Sequence, residues 1–153
     1  HARADLFAGR PWILTPEGDQ ETGSVTERLS AFVQGLGARA LTMASGAAHD
    51  EVLAFIGHLP QLTASALMAV VGDAAGEWLH LAGRGLADAT RLAAAPAGAW
   101  RDVCATSVEP IGLALDRLIA LLQSVRAGLG SDETVDRLFA SANDWRARLP
   151  PDA

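Results

Sequence analysis

The chain of 153 residues contains no lysine, since all 12 of its basic residues are arginine. A phosphate-binding loop of the kinase and ATPase type places a lysine on the nucleotide phosphates, and a pyridoxal enzyme needs one for its Schiff base. The composition therefore excludes both kinds of chemistry within this chain.

Cysteine and positive charge are also scarce. The single cysteine, Cys104, cannot form an internal disulfide or a cysteine-rich zinc site, and this usage fits a reducing compartment, so we predict a cytoplasmic protein. Acidic residues number 18 and give a net charge of −6. Because that charge repels polyphosphate, we expect no nucleic-acid partner.

One uncharged segment, residues 52–72, is as long as a membrane span. It places His58, Pro60 and Gln61 where the bilayer centre would lie, and polar groups and a helix breaker are unfavourable there. The N-terminus lacks the basic and then apolar pattern of a signal peptide. We therefore expect neither a membrane span nor a signal peptide.

Residues 1–44 have the pattern of a strand, a helix and a second strand. Residues 11–16 are an apolar run closed by prolines, Ser24 begins a capping box, Gly37 can end the helix, and residues 39–43 are again apolar. Two parallel strands with one crossover helix leave a face and an edge bare, and such a unit is not stable alone. We interpret this segment as the last part of a larger α/β domain.

From Ser45 onward the apolar residues recur with the period of a helix, which predicts a mainly α fold with an all-helical domain over residues 45–153. Pro60 should kink the first of these helices. Further helices should start at Ser107 and Ser131. The helix after Ser107 is apolar on more than one face, which implies burial inside the domain or against a second copy of the chain.

Arg91 is the first candidate for binding an anionic ligand. A guanidinium holds a carboxylate with two parallel hydrogen bonds and keeps its charge when buried, and Asp88, three residues earlier, can hold it in position within an apolar pocket. The alternative is an ordinary ion pair on the surface.

Two aromatic side chains are the other candidates. His58 lies on a mostly apolar helix, where it can hydrogen-bond an anion or, alternatively, a backbone carbonyl of the core. Trp100 can line an apolar pocket or simply fill the core. His49 lies nine residues before His58 and thus half a turn out of phase, so we expect no metal site.

No dinucleotide fingerprint is recognisable in the chain. The pattern Gly83-x-Gly85-x-x-Asp88 has two of the glycines, but it follows a predicted helix and has Asp at the third position. We therefore expect no cofactor-binding residues here.

Several blocks of the chain, in one order, resemble the prephenate and arogenate dehydrogenases. The family's Asp-Leu-Phe-x-Gly-Arg-Pro-Trp-Ile-Leu-Thr-Pro block is similar to residues 5–16. Its His-Asp, Ser-His-Leu-Pro-His, Phe-x-Asp-x-Thr-Arg and Trp-x-Asp-Ile blocks are similar to residues 49–50, 58–60, 88–91 and 100–103. The resemblance implies the end of a dinucleotide-binding α/β domain over residues 1–44, and then a helical substrate and dimerisation domain like the C-terminal domain of 6-phosphogluconate dehydrogenase.

By this resemblance the parent protein is an NAD- or NADP-dependent oxidoreductase of tyrosine biosynthesis, which converts prephenate to 4-hydroxyphenylpyruvate with loss of carbon dioxide, or acts on arogenate. Arg91 would bind a substrate carboxylate, Asp88 would join its ionic network, His58 would face the substrate and Trp100 would line the pocket. The family's glycine fingerprint and its catalytic histidine, in a His-Pro-Met motif, have no counterpart in this chain. We thus expect a homodimerising but inactive fragment with no bound cofactor and no catalytic residue.

Two residues depart from the family pattern. Gln61 stands where the second histidine of His-Leu-Pro-His is usual, and Arg84 interrupts small residues beside the pocket, where it can add an anion contact or narrow the site. Two alternatives remain, a non-catalytic dimerisation or ligand-sensing module and another 3-hydroxyacid-type dehydrogenase. A glycine fingerprint and a His-Pro-Met motif upstream would favour the dehydrogenase over the sensing module.

Overall fold

A computed structural model describes residues 3, 5–16 and 22–150. These residues are mostly helical and include one two-stranded sheet, so the predicted mainly α fold is confirmed. The chain divides into two units, residues 1–111 and 112–153.

The first unit begins with the predicted strand, helix and strand. Strand β1 (Pro11–Leu14) and strand β2 (Arg39–Thr42) pair in parallel, with Pro11 opposite Arg39 and Leu14 opposite Thr42. Helix α1 (Thr22–Gly35) connects them. A parallel pair needs such a crossover, and the β-α-β pattern predicted from the sequence is confirmed.

Helix α1 ends at the predicted glycine. Gly37 has φ +79°, its N–H donates to the carbonyl of Gln34, and the N–H of Ala38 donates to the carbonyl of Val33. This pair of hydrogen bonds is a Schellman motif, and the buried side chains of Val33 and Ala38 supply its usual apolar contact.

The predicted start of α1 is wrong. Ser24 was expected to cap the helix, but α1 begins at Thr22 and Ser24 has helical backbone. Thr22 and Gly23 each have a backbone N–H, because neither is a proline. The helix can therefore include both of them on the N-terminal side of Ser24.

The apolar row of α1 is largely open. Val33 is fully buried, whereas Phe32 is 62% exposed, and Val25, Leu29 and Leu36 are exposed as well. A two-stranded sheet is too narrow to cover this row.

The remainder of the described chain is helical. The α-helices are α2 (Gly46–Leu53), α3 (Leu59–Ala75), α4 (Arg84–Ala89), α5 (Ala97–Thr106), α6 (Val108–Ala127) and α7 (Asp132–Arg146). Two 3₁₀ helices, Gly76–Leu81 and Arg91–Ala94, lie between them. The starts expected near Ser45, Ser107 and Ser131 are confirmed, and the hydroxyl of Ser45 caps α2 by accepting from the N–H of Ala48 at 3.1 Å.

The expected disturbance at Pro60 takes the form of a π-helical turn. Residues Ala54–His58 are π-helical between α2 and α3, and the N–H of Leu59 donates to the carbonyl of Ala54, five residues earlier. Pro60 has no N–H to donate and its ring crowds the carbonyl of Ile56, so the preceding turn widens. Turns of this kind often lie at functional sites.

The stretch Gly46–Leu81 is the one part of the described chain that is long and apolar enough to cross a bilayer. Of its most apolar portion 17% is buried within the described chain, and length and composition alone do not distinguish a bilayer span from a helix packed against protein. Gln61 inside the stretch donates a hydrogen bond to the backbone of residue 92, which is a contact typical of a helix packed against protein.

Within the second unit, the connection between α6 and α7 requires a glycine. The N–H of Gly128 donates to the carbonyl of Ser124, and the carbonyl of Gly128 accepts from the N–H of Ser131. A Cβ atom at position 128 would lie 2.9 Å from the Cβ of Thr134 and still closer to its two γ atoms, whereas Gly130 has open space around it.

We predict that Gly128→Ala lowers the free energy of unfolding by about 1–3 kcal/mol, because no rotamer change moves the Cβ of Thr134 away. Gly130→Ala is the matched control, with an unstrained φ, and should be neutral or stabilising by about 0.4–1 kcal/mol. Thermal unfolding followed by circular dichroism measures both. Equal midpoints for the two variants would contradict this account of the turn.

Candidate functional site

His58 occupies the end of the π-helical turn, and its ring has an unsatisfied nitrogen. The side chain is half-buried, and its Nδ1 atom is buried with no hydrogen-bond partner in the described chain. A buried polar nitrogen without a partner is unfavourable by about 1–3 kcal/mol, so its position needs an explanation. Because the atom is closed off from solvent, a bound ligand would supply one only after the imidazole ring turns to expose it.

Trp100 packs against the same imidazole. The two ring centroids lie 6.0 Å apart with an angle of 85° between the ring planes, which is an edge-to-face arrangement. This contact joins the π-helical turn to α5, on which Trp100 is half-buried. His58 thus has an apolar aromatic wall beside its ring.

Gln61 lies one turn after His58 and is almost fully buried, with 6% of its surface exposed. Its Nε2 donates to the carbonyl of Leu92 at 2.8 Å and to the hydroxyl of Ser65 at 3.3 Å. The first of these bonds joins α3 to the 3₁₀ helix that contains Arg91. In the sequence Gln61 stands out only as a departure from a motif, and no local pattern indicates this contact.

Arg91 begins that 3₁₀ helix and is exposed. The expectation that its guanidinium is buried in an apolar pocket is therefore wrong for the part of the chain that the structure describes. Among the residues that the structure describes, Arg91 has no ion-pair or hydrogen-bond partner for its side chain. As far as the described residues go, its five guanidinium N–H donors are therefore available to bind an external anion.

The predicted contact between Asp88 and Arg91 is wrong. No ion pair joins these two residues. Helix α4 ends at Ala89, and Thr90, with φ −106° and ψ 9°, breaks the helical path. Residues 88 and 91 therefore do not lie three apart on one regular helix, which is the geometry that the expected contact needs.

Arg84 is the first residue of α4 and is exposed. Its suggested roles, a second anion contact or a narrower site, stay predictions. No three His, Cys, Asp or Glu side chains of the described residues lie close enough together to hold a metal ion.

The segments that contain the candidates contact one another within the first unit. The rings of His58 and Trp100 connect the π-helical turn to α5, and Gln61 connects α3 to the turn of Arg91. One unsatisfied imidazole nitrogen, one aromatic wall and one unpaired guanidinium thus belong to adjoining segments. This set of groups suits a small molecule with an aromatic or apolar body and a carboxylate.

A family model described as the prephenate dehydrogenase dimerization domain matches residues 45–142. The match covers more than half of the chain. The chain belongs to this family.

Two relatives of this dimerization domain extend the match to the N-terminal segment. A cyclohexadienyl dehydrogenase from Zymomonas mobilis subsp. mobilis is 28% identical over 150 residues, which are 95% of this chain and 50% of that protein. A prephenate dehydrogenase from Bacillus subtilis is 28% identical over 154 residues, which are 97% of this chain and 41% of that protein. The chain thus spans half or less of the length of these relatives.

Among solved structures, the prephenate dehydrogenase from A. aeolicus in complex with hydroxyphenyl propionate and NAD+ has the same fold. The TM-score is 0.77 at 23% sequence identity, and the match covers 94% of this chain and 51% of that one. At this identity the likeness concerns the fold alone.

We predict that His58→Phe leaves the stability of this dimerization-domain chain unchanged or raises it by up to about 1 kcal/mol, because it removes a buried nitrogen without a partner and keeps an edge contact to Trp100. Trp100→Ala, for comparison, should lower stability by about 1–3 kcal/mol through lost apolar contact. Chemical denaturation of both variants measures this. A loss for His58→Phe as large as that for Trp100→Ala would show that His58 is a structural residue.

Proposed function

We propose that this chain is the C-terminal, substrate-binding and dimerising part of an NAD- or NADP-dependent prephenate or arogenate dehydrogenase of tyrosine biosynthesis, active in the cytoplasm. The observation that carries the proposal is the buried, unsatisfied Nδ1 of His58 beside Trp100, in segments that adjoin the unpaired Arg91. Family membership and the names of the relatives support the reaction class.

The chemistry of the substrate fits these groups. Prephenate and arogenate are carboxylates with a six-membered ring, so a guanidinium can bind a carboxylate while an indole packs along the ring. The imidazole of His58 can hydrogen-bond an oxygen of the same molecule. Hydroxyphenyl propionate, present in the A. aeolicus structure, is an aromatic carboxylate of the same general kind.

The nicotinamide cofactor does not fit the described residues. A dinucleotide site needs a strand that opens through a glycine-rich turn into a helix. The sequence from Thr15 to the start of α1 has no glycine-rich pattern of this kind, and β2 leads through Met43-Ala44-Ser45 to α2 without a glycine. We therefore assign NAD or NADP to a nucleotide domain outside this chain, and we expect the chain alone to be inactive.

Arg91→Ala tests the substrate site in a protein that includes the proposed nucleotide domain. We predict that it raises KM for prephenate or arogenate by the equivalent of about 2–4 kcal/mol, because the carboxylate loses a bidentate, charge-assisted partner. Steady-state kinetics with both substrates and both nicotinamide cofactors measure the effect.

Arg28→Ala is the control for this experiment, since Arg28 is an exposed arginine on α1 outside the candidate site. It should leave KM unchanged. An unchanged KM for Arg91→Ala would remove Arg91 from the site. If the ligand binds in a manner that depends on Arg91, but no combination of substrate and cofactor is turned over, the result would instead favour a ligand-sensing module.

We further propose that the protein is a homodimer. Helix α7 presents exposed apolar residues, with Phe139 at 62% and Trp145 at 65%, and α6 exposes Ile119 and Leu122 as well. Exposed aromatic and aliphatic side chains in this number are typical of a surface that another protein covers. The name of the matching family, a dimerization domain, supports a second copy as that protein.

Phe139→Asp should convert the dimer to a monomer at micromolar concentration, because it places a charge in an apolar contact. Ala140→Asp adds the same charge to the neighbouring exposed position, about 100° around the helix, and should leave the dimer intact. Size-exclusion chromatography with light scattering measures the mass. A monomeric mass for the wild-type protein at the same concentration would overturn the proposal of a homodimer.

A further inference from the structure

We propose that Gln61 is a positioning residue for the substrate site, which ties the turn that contains Arg91 to the helix that follows His58. This inference rests on the proposed function, because it assumes that Arg91 binds a substrate carboxylate. Its physical basis is the hydrogen bond of 2.8 Å from the Nε2 of Gln61 to the carbonyl of Leu92, across 31 residues of sequence.

The carbonyl of Leu92 is central to the 3₁₀ helix Arg91–Ala94. It accepts from the N–H of Ala95 at 3.1 Å and also from Gln61, so both of its lone pairs are used. The turn is short and begins with an exposed residue, and a short 3₁₀ helix has little stability of its own. An anchor from a longer helix therefore restricts where Arg91, the preceding residue, can lie.

Gln61 is suited to this role by its burial and by its helix. It is 6% exposed and lies on α3, a helix of 17 residues, three positions after His58. His58 is the last residue of the π-helical turn and Gln61 is the third residue of α3, so the unsatisfied imidazole and the anchor of the arginine turn belong to adjoining turns of one continuous helical stretch. The hydrogen bond thereby couples the position of Arg91 to that of His58.

The contacts of Gln61 also indicate what it does not do. Its amide nitrogen has two hydrogens, and these are engaged by Leu92 and by Ser65. No amide donor remains for a bound carboxylate. Gln61 therefore affects the ligand through the placement of Arg91 and does not itself donate a hydrogen bond to the ligand.

A double-mutant cycle tests this proposal in the protein that includes the nucleotide domain. Gln61→Leu removes the donor at similar size, and we predict about a five- to tenfold higher KM with kcat changed less than about twofold, because the turn is no longer held for binding. In the Arg91→Ala background the same substitution should change KM by less than about twofold. A purely structural role would lower the active fraction and thus kcat, and leave KM as it was.

Ser65→Ala is the matched control on the same helix. It removes only the longer, 3.3 Å contact and leaves the bond to Leu92 in place, so KM should stay within about twofold of the wild-type value. Equal effects of Gln61→Leu in the presence and absence of Arg91, or an unchanged KM, would overturn the proposal.

Amide hydrogen exchange on the free protein separates this proposal from the proposed function. Gln61→Leu should accelerate exchange at Ala93 and Ala95, whose N–H groups close the turn, by about tenfold, with no change in α7. If Gln61→Leu accelerates exchange at these residues but the wild-type protein binds neither prephenate nor arogenate, the role of Gln61 in holding the turn stands and the proposed function is rejected. Unchanged exchange at both residues would reject the anchor whatever the protein binds.

Discussion

The hydrogen bond between Gln61 and Leu92 is the contact on which the arrangement of the candidate site depends. It fixes a short 3₁₀ turn to a long helix, and that turn begins with Arg91. A side-chain amide is a specific connector, since a buried donor must find an acceptor and the nearest one lies on the turn. The aromatic contact of His58 and Trp100 joins the third segment, α5, to the same region.

Local physical rules predicted much of the fold. Proline placement bounded β1, Gly37 ended α1 through a left-handed backbone, and Ser45 capped α2. These features depend on neighbours within a few residues, so the sequence contains their whole cause. Pro60 disturbed the helix as expected, but the π-helical form of that disturbance follows from packing, which periodicity does not encode.

The site was less accessible to sequence reasoning. The chemistry of Arg91, His58 and Trp100 left an ordinary structural role open for each, and the resemblance favoured a binding role. Asp88 and Arg91 do not pair, because the helix that contains Asp88 ends at Ala89. The hydrogen bond from Gln61 to Leu92 spans 31 residues of sequence, and no periodic pattern predicts such a contact. The exposure of Arg91 has a similar origin, because the burial of a side chain depends on tertiary packing that the neighbouring sequence does not contain.

A crystal structure of the protein with its proposed nucleotide domain, bound to an aromatic carboxylate such as hydroxyphenyl propionate, tests the central claim most directly. The account predicts that the guanidinium of Arg91 holds the carboxylate with two N–O distances of about 2.7–2.9 Å, with the ring of the ligand beside Trp100. A carboxylate bound elsewhere, with Arg91 in solvent and the Nδ1 of His58 still without a partner, would contradict it.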